Sequence, residues 1–486
     1  MHARRKDLVR LGGSGSPAGD AFSRAAGALI LGNHVRLLKD AQENYPCWIE
    51  AIKSARHWIH FESYIIHDDE TGQLFSDLLA SKAREGVKVR LIYDWVGSLG
   101  NARGRFFRRL AQAGVEVRCF NPPHFDSPFG WVSRDHRKML SVDGRIAYVT
   151  GLCVGQRWQG ISKRDGTLDA WRDTGVEIQG PAVAEIERAF SETWTVAGGT
   201  LPPEELPAAE TIPVAGDVAL RVVASVPQTG NLYRTDLLVA ALARNTLWLA
   251  DAYFLGTSSY VQALRSAAQS DVDVRLLIPS ASDVWGMRAI SRAGLRPLLE
   301  AGVRIFEWNG AMMHAKTAVA DGRWARVGST NLNLLSWVGN WELDVIVEDV
   351  PFARVMEEAY LQDLSRSTEI VLDRKYPRRA LSRDRSEQWR SRRRPRLNPG
   401  SASQTAARIV RLSHTVGAAI TNHRELGPAE RVVMYWGAGL LALLAAIAFK
   451  WPRGIAFPIA ILCVWCAVAL LVRAYKLRGS DENRKV

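Results

Sequence analysis

Two hydrophobic periods alternate along the first three quarters of the chain. Short apolar runs of strand length, such as VKVRLIYD (87–94) and VDVRLLIP (272–279), are separated by segments whose apolar residues recur at helical spacing. LFSDLL (74–79) and YVQAL (260–264) are two such helical segments. Because strands alternate with helices, the pattern predicts an α/β layered fold with largely parallel sheets.

The order of these elements is repeated within the chain. HWIHFESYII (57–66) parallels TLWLADAYFL (246–255), and LAQAGVEVRCFN (110–121) parallels LLEAGVRIFEWN (298–309). Each half is predicted to run strand–helix–strand–helix–strand and then to form a hairpin. Two such halves most simply pack about a pseudo-twofold axis, which would bring the two hairpins together.

The first hairpin carries a pair of basic side chains. In HRKMLSVDG (136–144), His136 and Lys138 are two residues apart and would share one face of a strand. Asp143-Gly144 is a strong turn dipeptide, so the strand should reverse there. Two adjacent cations repel unless an anion lies between them, and a phosphate is the obvious candidate.

The same spacing recurs in HAKTAVADG (314–322), with His314, Lys316 and Asp321 in matching positions. A single motif of this kind is most often structural, because His and Lys are common surface residues. Its repetition favours a site in which two imidazole–ammonium pairs surround one phosphorus atom.

These paired motifs resemble those of the phospholipase D superfamily, as does GSTN (328–331) after the second motif. WRDTGVEIQGPAV (171–183), HFESYI (60–65) and NWELDV (340–345) resemble segments of the bacterial cardiolipin synthase branch, in the type without amino-terminal membrane spans. The resemblance covers about residues 33–370.

The resemblance implies a catalytic role for five residues. His136 is expected to attack phosphorus and form a phosphohistidine, and His314 to act as the general acid and base. Lys138 and Lys316 can supply positive charge to the non-bridging phosphate oxygens, and Asn331 can add a neutral donor. No metal or other cofactor is expected, because the lysines take the place of a cation.

Five further residues are expected to support the site. Asp173 and Glu342 follow the two motifs and are candidates for orienting the histidines, with an ordinary strand-end role as the alternative. Asp143 and Asp321 are expected to fix the hairpin turns. Ser329 belongs to the GSTN segment beside Asn331.

The first half departs from the family pattern after its motif. Its sequence is TGLCVG, with Thr150 and Cys153 at the positions of Gly328 and Asn331. A thiol is a weak hydrogen-bond donor compared with an amide. We therefore expect the first half-site to bind phosphate oxygens through fewer polar groups, and Cys153 to be a buried structural residue.

The chain of 486 residues carries a net charge of +13 and has a pI of about 9.7. Such an excess of positive charge fits an anionic partner, either a lipid surface or a nucleic acid. The five cysteines show no disulfide framework, which agrees with a reducing compartment.

Two apolar runs without charge, 432–449 and 454–472, stand near the carboxyl terminus. Each approaches the ~20 residues that a helix needs to cross the ~30 Å hydrocarbon core of a bilayer. The loop between them, residues 450–453, is short. The pattern predicts a transmembrane helical hairpin over 431–473, and a buried hairpin in a soluble protein is the alternative.

Basic residues are concentrated on both flanks of this hairpin. The positive-inside rule therefore places the catalytic domains in the cytoplasm, at the bacterial inner membrane. The predicted organisation is a basic flexible tail (1–30), two phospholipase D-like halves (31–205 and 206–372), a basic linker with a short amphipathic helix (373–430), the hairpin (431–473) and a basic cytoplasmic tail (474–486). The linker would lie against anionic headgroups.

The expected function is a membrane-bound phosphatidyltransferase that joins two phosphatidylglycerol molecules into cardiolipin and releases glycerol. A phospholipase D that hydrolyses headgroups is an alternative, because water can replace the acceptor lipid. A nuclease is a third possibility, and the paired apolar runs weigh against a nucleic acid as partner. A non-enzymatic membrane scaffold would be favoured only if Cys153 signals decay of the site.

Overall fold

The structure is a computed structural model that describes residues 17–102, 104–123, 133–160, 170–284, 290–292, 294–372 and short pieces between 449 and 468. The chain divides into two units, one formed by residues 1–371 and 465–486 and the other by residues 372–464. The strands and helices of the two halves belong to the first unit.

One mixed sheet of fifteen strands dominates this unit. The strands are β1 (Ile30–Lys39), β2 (Trp58–Ser63), β3 (Lys88–Asp94), β4 (Glu116–Phe120), β5 (Lys138–Val142), β6 (Ile146–Thr150), β7 (Thr174–Gln179), β8 (Val218–Ser225), β9 (Thr246–Ala250), β10 (Asp273–Pro279), β11 (Arg304–Trp308), β12 (Thr317–Ala320), β13 (Trp324–Gly328), β14 (Glu342–Val347) and β15 (Ser367–Ile370).

Helices cover the sheet. They are α1 (Pro17–Ala26), α2 (Asp40–Ser54), α3 (Glu70–Arg84), α4 (Trp95–Ser98), α5 (Gly104–Gln112), α6 (Gln156–Gln159), α7 (Val183–Val196), α8 (Asn231–Leu242), α9 (Ser258–Gln269), α10 (Arg296–Glu300) and α11 (Val350–Ser365). Short 3₁₀ turns occur at Pro203–Glu205 and Ala209–Thr211, and a π-helical turn at Leu335–Gly339.

The strand order confirms the two halves that the repeat predicts. From the centre outwards, the first half runs β1-β7-β6-β5-β2-β3-β4 and the second runs β8-β14-β13-β12-β9-β10-β11, with β15 added at its edge. Corresponding strands therefore occupy corresponding places, and β1 pairs with β8 where the halves meet. This arrangement is the expected pseudo-twofold relation.

The prediction of largely parallel sheets is wrong. Only β2, β3 and β4, and likewise β9, β10 and β11, pair in parallel, and the other neighbours in the sheet are antiparallel. Helical crossovers return the chain in the same direction, whereas the Asp-Gly turns reverse it. Both kinds of connection are visible in the sequence, but the crossovers join only three strands in each half.

Each hairpin turn uses an Asp-Gly pair with positive φ at both residues. The φ values are 53° and 60° at Asp143 and Gly144, and 52° and 59° at Asp321 and Gly322, as a type I′ turn requires. Each Asp carboxylate also accepts backbone N–H groups from the loop that precedes the adjacent strand. For Asp143 these donors are Arg56, His57 and Trp58, and for Asp321 they are Arg244, Asn245 and Thr246.

A shared apolar core joins the two halves. It contains Val176 and Ile178 of β7, Val345 of β14 and Phe190 of α7, together with Met356 of α11. Each half also has an outer core of its own on the opposite side of its sheet. Because the shared core would be exposed by separating the halves, burial holds them together and fixes the relative position of their strand ends.

Part of the segment predicted as a flexible tail is structured. Helix α1 lies within residues 1–30, and its Phe22 is buried in the outer core of the second half. Arg221 of β8 donates to the carbonyl of Gly27 after this helix. The contact between an early helix and a distant strand is not encoded in any local pattern.

Most of the predicted linker and hairpin (373–430 and 431–473) lies outside the described residues. Within the part of the chain that the structure describes, no helix is long and apolar enough to cross a membrane. The hairpin therefore stays a prediction from the sequence.

Candidate active site

The two histidines line one cavity of about 350 Å³ between the halves. His136 precedes β5 and His314 precedes β12, and Asn331 also contributes to the lining. Tyr64 and Tyr253, which follow the equivalent strands β2 and β9, complete this part of the wall. The halves thus bring the two motifs together as the repeat predicts, at a position where α/β sheets commonly bind ligands.

Each histidine is bound by a carboxylate from the other half. His136 Nδ1 lies 2.9 Å from Oε2 of Glu342, and His314 Nδ1 lies 2.6 Å from Oδ2 of Asp173. Glu342 and Asp173 are structurally equivalent, because Gly328 pairs with Asp344 and Thr150 with Gly175. When Nδ1–H donates to the carboxylate, the Nε2 lone pair is available for chemistry.

The two lysines are buried behind their histidines. Lys138 Nζ donates to the carbonyl oxygen of His136 at 2.5 Å, and Lys316 Nζ donates to that of His314. Lys316 Nζ also lies 2.9 Å from His314 Nδ1. Since Nδ1 carries the proton shared with Asp173, we regard this last approach as a close contact rather than a hydrogen bond.

Different residues support the two carboxylates. Ser329 Oγ donates to Glu342 at 2.6 Å, whereas the equivalent position in the first half is Gly151. A Cβ at Gly151 would lie 2.1 Å from Oδ1 of Asp173. Asp173 instead receives the indole N–H of Trp158 at 3.3 Å. The close approach of Asp173 therefore requires glycine at position 151, and the first half has no counterpart of the Ser329 hydroxyl.

Burial sets the protonation of the site. It lowers the pKa of His136 to about 4, against the opposing attraction of Glu342. Burial and Lys316 lower the pKa of His314, against Asp173. Burial raises the carboxyl pKa values, but the adjacent histidines and lysines outweigh it, so the pKa values of Glu342 and Asp173 are lowered. At neutral pH both imidazoles are neutral and both carboxylates ionised.

The two half-sites carry different side chains at the position of Asn331. Asn331 lies in the cavity wall, and its Oδ1 is buried without a hydrogen-bond partner among the described residues. Cys153, at the equivalent position, is also in the wall and buried. Burial raises the pKa of the Cys153 thiol, so it stays protonated and is a poor nucleophile.

Two buried arginines hold the carboxylate residues by their backbones, and the sequence analysis missed both. Arg172 Nη1 donates to the carbonyl oxygen of Asp173, and Arg137 Nε to that of Glu342 at 3.3 Å. Arg137 stands between the motif His and Lys, so the strand pleat directs it away from them. This alternation is the sequence feature that could have identified Arg137.

A residue in an unusual backbone conformation holds Asp173 from the other side. Asp40, at the start of α2, has φ of +51°. Its Oδ1 accepts the N–H of Asp173 at 2.8 Å, and its own N–H donates to the carbonyl oxygen of Asp173 at 3.0 Å. Arg172 Nη1 lies 3.2 Å from the same Oδ1. No motif in the sequence indicates this contact.

The remaining predicted residues lie elsewhere. Asp143 and Asp321 bind backbone N–H groups at the hairpin turns and do not line the cavity. Within the described ranges, no group of three or more His, Cys, Asp or Glu side chains could hold a metal ion.

Comparison with known proteins places these observations in a family. The family described as "Cardiolipin synthase, PLD-like domain" matches residues 48–194 and 239–364. A cardiolipin synthase of Alkalihalophilus pseudofirmus is 32% identical over 344 residues, which cover 70% of this chain and 67% of that protein. Cardiolipin synthase A of Pseudomonas fluorescens SBW25 is 33% identical over 351 residues, covering 70% of each.

Among solved structures, phosphatidylserine synthase of Haemophilus influenzae resembles this chain with a TM-score of 0.57 at 13% sequence identity. The match covers 74% of this chain and 95% of that protein. At this level of identity the likeness concerns the fold.

Proposed function

Because this chain belongs to the phospholipase D superfamily, in the family of cardiolipin synthase-like proteins, we propose that its cavity transfers a phosphatidyl group from one phosphatidylglycerol to another, with cardiolipin and glycerol as products. One observation carries the proposal: two imidazoles from different halves, each bound to an ionised carboxylate, line the same cavity. A phosphodiester between them would meet a nucleophile on one side and a proton donor on the other.

In the first step, His136 Nε2 attacks phosphorus. The P–N bond forms, the bond from phosphorus to the glycerol oxygen breaks, and His314 gives its Nε2 proton to that oxygen. The phosphodiester brings a negative charge, which raises the pKa of His314 and favours the protonated form that this step needs. Asp173 stabilises the resulting imidazolium.

In the second step, a hydroxyl of the acceptor lipid attacks the phosphohistidine. His314 takes the hydroxyl proton, the new P–O bond forms, and the P–N bond to His136 breaks. Lys138 and Lys316 supply positive charge behind the histidines, and Asn331 offers its amide N–H groups to a phosphate oxygen. The choice of His136 as nucleophile rests on the family resemblance.

Water in place of the acceptor would give phosphatidic acid, the product of the alternative hydrolase. The relatives named as cardiolipin synthases favour transfer. Both reactions use the same covalent intermediate, so the identity of the second nucleophile is the point to be tested.

The test is an analysis of lipid products after incubation of the purified full chain with phosphatidylglycerol. We expect cardiolipin and glycerol from the wild type and a loss of at least about a thousandfold with His136→Ala. His34→Ala is the matched control, because His34 is exposed on β1 and should leave the activity unchanged. Phosphatidic acid without cardiolipin would favour the hydrolase, and full activity of His136→Ala would exclude both.

We also propose that the basic linker (373–430) and the apolar hairpin (431–473) attach the enzyme to the bacterial inner membrane, with the catalytic halves in the cytoplasm. The charge-free runs and the concentration of basic residues on both flanks support this arrangement. Under it, the protein stays in the membrane pellet at alkaline pH, and Trp451→Cys in the short loop reacts with a membrane-impermeant reagent added from outside.

A further inference from the structure

An apolar rim lies at the mouth of the catalytic cavity. We define the rim as Val96, Val284, Leu334 and Leu335. Val96, Val284 and Leu335 line the cavity, and Leu334 adjoins them in sequence. The exposed fractions are 45% for Val284, 49% for Leu334 and 54% for Leu335. The catalytic groups deeper in the cavity are polar and buried, whereas at its mouth the four apolar side chains of the rim outnumber the exposed Asp283.

The two leucines are held outward by anchored neighbours. The π-helical turn Leu335–Gly339 contains Trp337, which is buried and donates its indole N–H to Asp236 at 2.8 Å. On the other side, Asn333 donates to the carbonyl oxygen of Tyr253 at 3.0 Å. Because both flanks are fixed, the leucines cannot turn into the core. Their exposed surface contributes nothing to the stability of the fold, since only apolar surface removed from water does so.

The volume of the cavity limits what it can hold. About 350 Å³ is near the lower end of the range of roughly 300–1,000 Å³ for small-ligand pockets. A phosphodiester with its headgroup fits such a space, but two long acyl chains do not. The chains of a bound lipid must therefore pass over the rim, where exposed apolar side chains are available.

We propose that the apolar rim inserts into the acyl region of a lipid bilayer and holds the chains of the phosphatidyl donor while its phosphodiester enters the cavity. The inference rests on the proposed function and adds to it a docking surface for the substrate phase. Burial of the two leucines in the bilayer contributes binding free energy that they do not gain while exposed to water.

The test compares one reaction in two physical states of the substrate. The full-length Leu334→Ser/Leu335→Ser variant is assayed on vesicles of dioleoyl phosphatidylglycerol and on dihexanoyl phosphatidylglycerol as dispersed monomers. Burial of one leucine corresponds to roughly tenfold in affinity. We therefore expect kcat/KM on vesicles to fall by about a hundredfold relative to the value on monomers, with both values normalised to the wild type.

Two control variants isolate the effect of the rim. Val355→Ser/Leu361→Ser on α11 replaces two side chains that are each 45% exposed and do not line the cavity. The ratio of kcat/KM on vesicles to kcat/KM on monomers should therefore stay at the wild-type value. Leu334→Phe/Leu335→Phe keeps apolar side chains at the rim and should retain activity on vesicles. This second variant separates hydrophobicity from a structural role of the turn.

The possible outcomes separate this inference from the proposed function. An unchanged ratio in the serine variant, or equal losses on vesicles and monomers, would overturn the docking surface. A change in oligomeric state by light scattering, with the ratio unchanged, would assign the rim to contact between copies instead. His136→Ala should be inactive on both substrates. Activity of that variant would refute the proposed chemistry, whatever the rim variant does.

Discussion

At the scale of single residues, burial disfavours positive charge in the free site, and a bound phosphodiester would favour it. Burial lowers the pKa of both imidazoles although each contacts a carboxylate, and it lowers the pKa of Lys316 to about 8. A bound phosphodiester adds a negative charge between the two half-sites. That charge favours protonation of one imidazole, so binding itself creates the acid that the first step needs.

This electrostatic arrangement predicts the pH dependence of catalysis. The profile of kcat/KM reports the ionisations of the free enzyme, in which the productive form has one neutral and one protonated histidine. The pKa values of His136 and His314 are both lowered from about 6.5. We expect a bell-shaped profile of kcat/KM with its maximum on the acid side of neutrality. Because bound substrate raises the pKa of the acid histidine, the alkaline limb of kcat should lie at higher pH than that of kcat/KM.

Glu342→Gln provides the control for this profile. The carboxylate of Glu342 raises the pKa of His136, which must be neutral to attack phosphorus. Its removal should therefore move the acid limb of the profile to lower pH while the maximum activity falls. The measurement is initial rate against pH on dispersed short-chain phosphatidylglycerol. A wild-type kcat/KM maximum above pH 7 would contradict the assignment of burial as the dominant influence.

At the scale of elements, the joint between β1 and α2 positions Asp173, which binds the proposed general acid His314. Asp40 occupies the left-handed region, where a residue with a Cβ is strained, and its carboxylate and N–H both bind the backbone of Asp173. Asp173 in turn binds His314. A change at this joint is therefore transmitted to the imidazole through a single intervening residue.

We predict that Asp40→Ala lowers kcat by at least about tenfold with a smaller change in KM, because the acid loses orientation while the cavity keeps its lining. Asp40→Asn should restore most of kcat, since an amide oxygen can accept the same N–H and Asn tolerates the left-handed region. The measurement is steady-state kinetics together with thermal unfolding.

Asp271→Ala is the matched control for backbone strain. Asp271 is exposed between α9 and β10, and its φ of +66° is also left-handed. Both alanine variants should lose unfolding free energy, because Ala adopts the left-handed region less readily than Asp. Only Asp40→Ala should lose kcat. Equal kinetic effects of the two variants would show that Asp40 acts through stability alone.

The sequence predicts the repeated elements well because repetition and period are local properties. The motif hairpins and the cavity shared by His136 and His314 follow from them. The antiparallel direction of the central strands β1, β7, β8 and β14 and the crossed pairing of each histidine with a carboxylate of the other half do not, because both depend on how the halves pack. Strand alternation turns Arg137 away from the motif side chains, but the carbonyl oxygen that it binds in the other half is brought to it only by the packing of the halves. Arg172 binds the carbonyl oxygen of the next residue, but its burial depends on the packed fold, so both arginines were missed.

At the scale of the whole molecule, the site depends on the interface between the halves. The crossed carboxylate–histidine pairs require β7 and β14 to keep their relative position, and the shared core packs against both strands. The outer cores touch only one sheet half each. Stability of the catalytic geometry should therefore respond to the shared core more than to either outer core.

Hydrogen exchange can test this dependence with two matched substitutions in the first half. Ile178→Ala opens a space in the shared core, and Leu79→Ala opens one in the outer core of the first half. Each should destabilise by about 2–5 kcal/mol. We expect Ile178→Ala to accelerate exchange in β13 and β14 as strongly as in β6 and β7, because these strands pack on one core.

Leu79→Ala should act mainly on α3 and β3, and should leave β13 and β14 close to their wild-type exchange rates. If Ile178→Ala leaves these two strands of the second half protected, the halves open independently, and the crossed pairs must then be held by their own hydrogen bonds. If both variants accelerate exchange everywhere alike, the unit unfolds as a whole and the cores are not separable. The intermediate pattern, in which only the shared core couples the halves, is the one that the packing predicts.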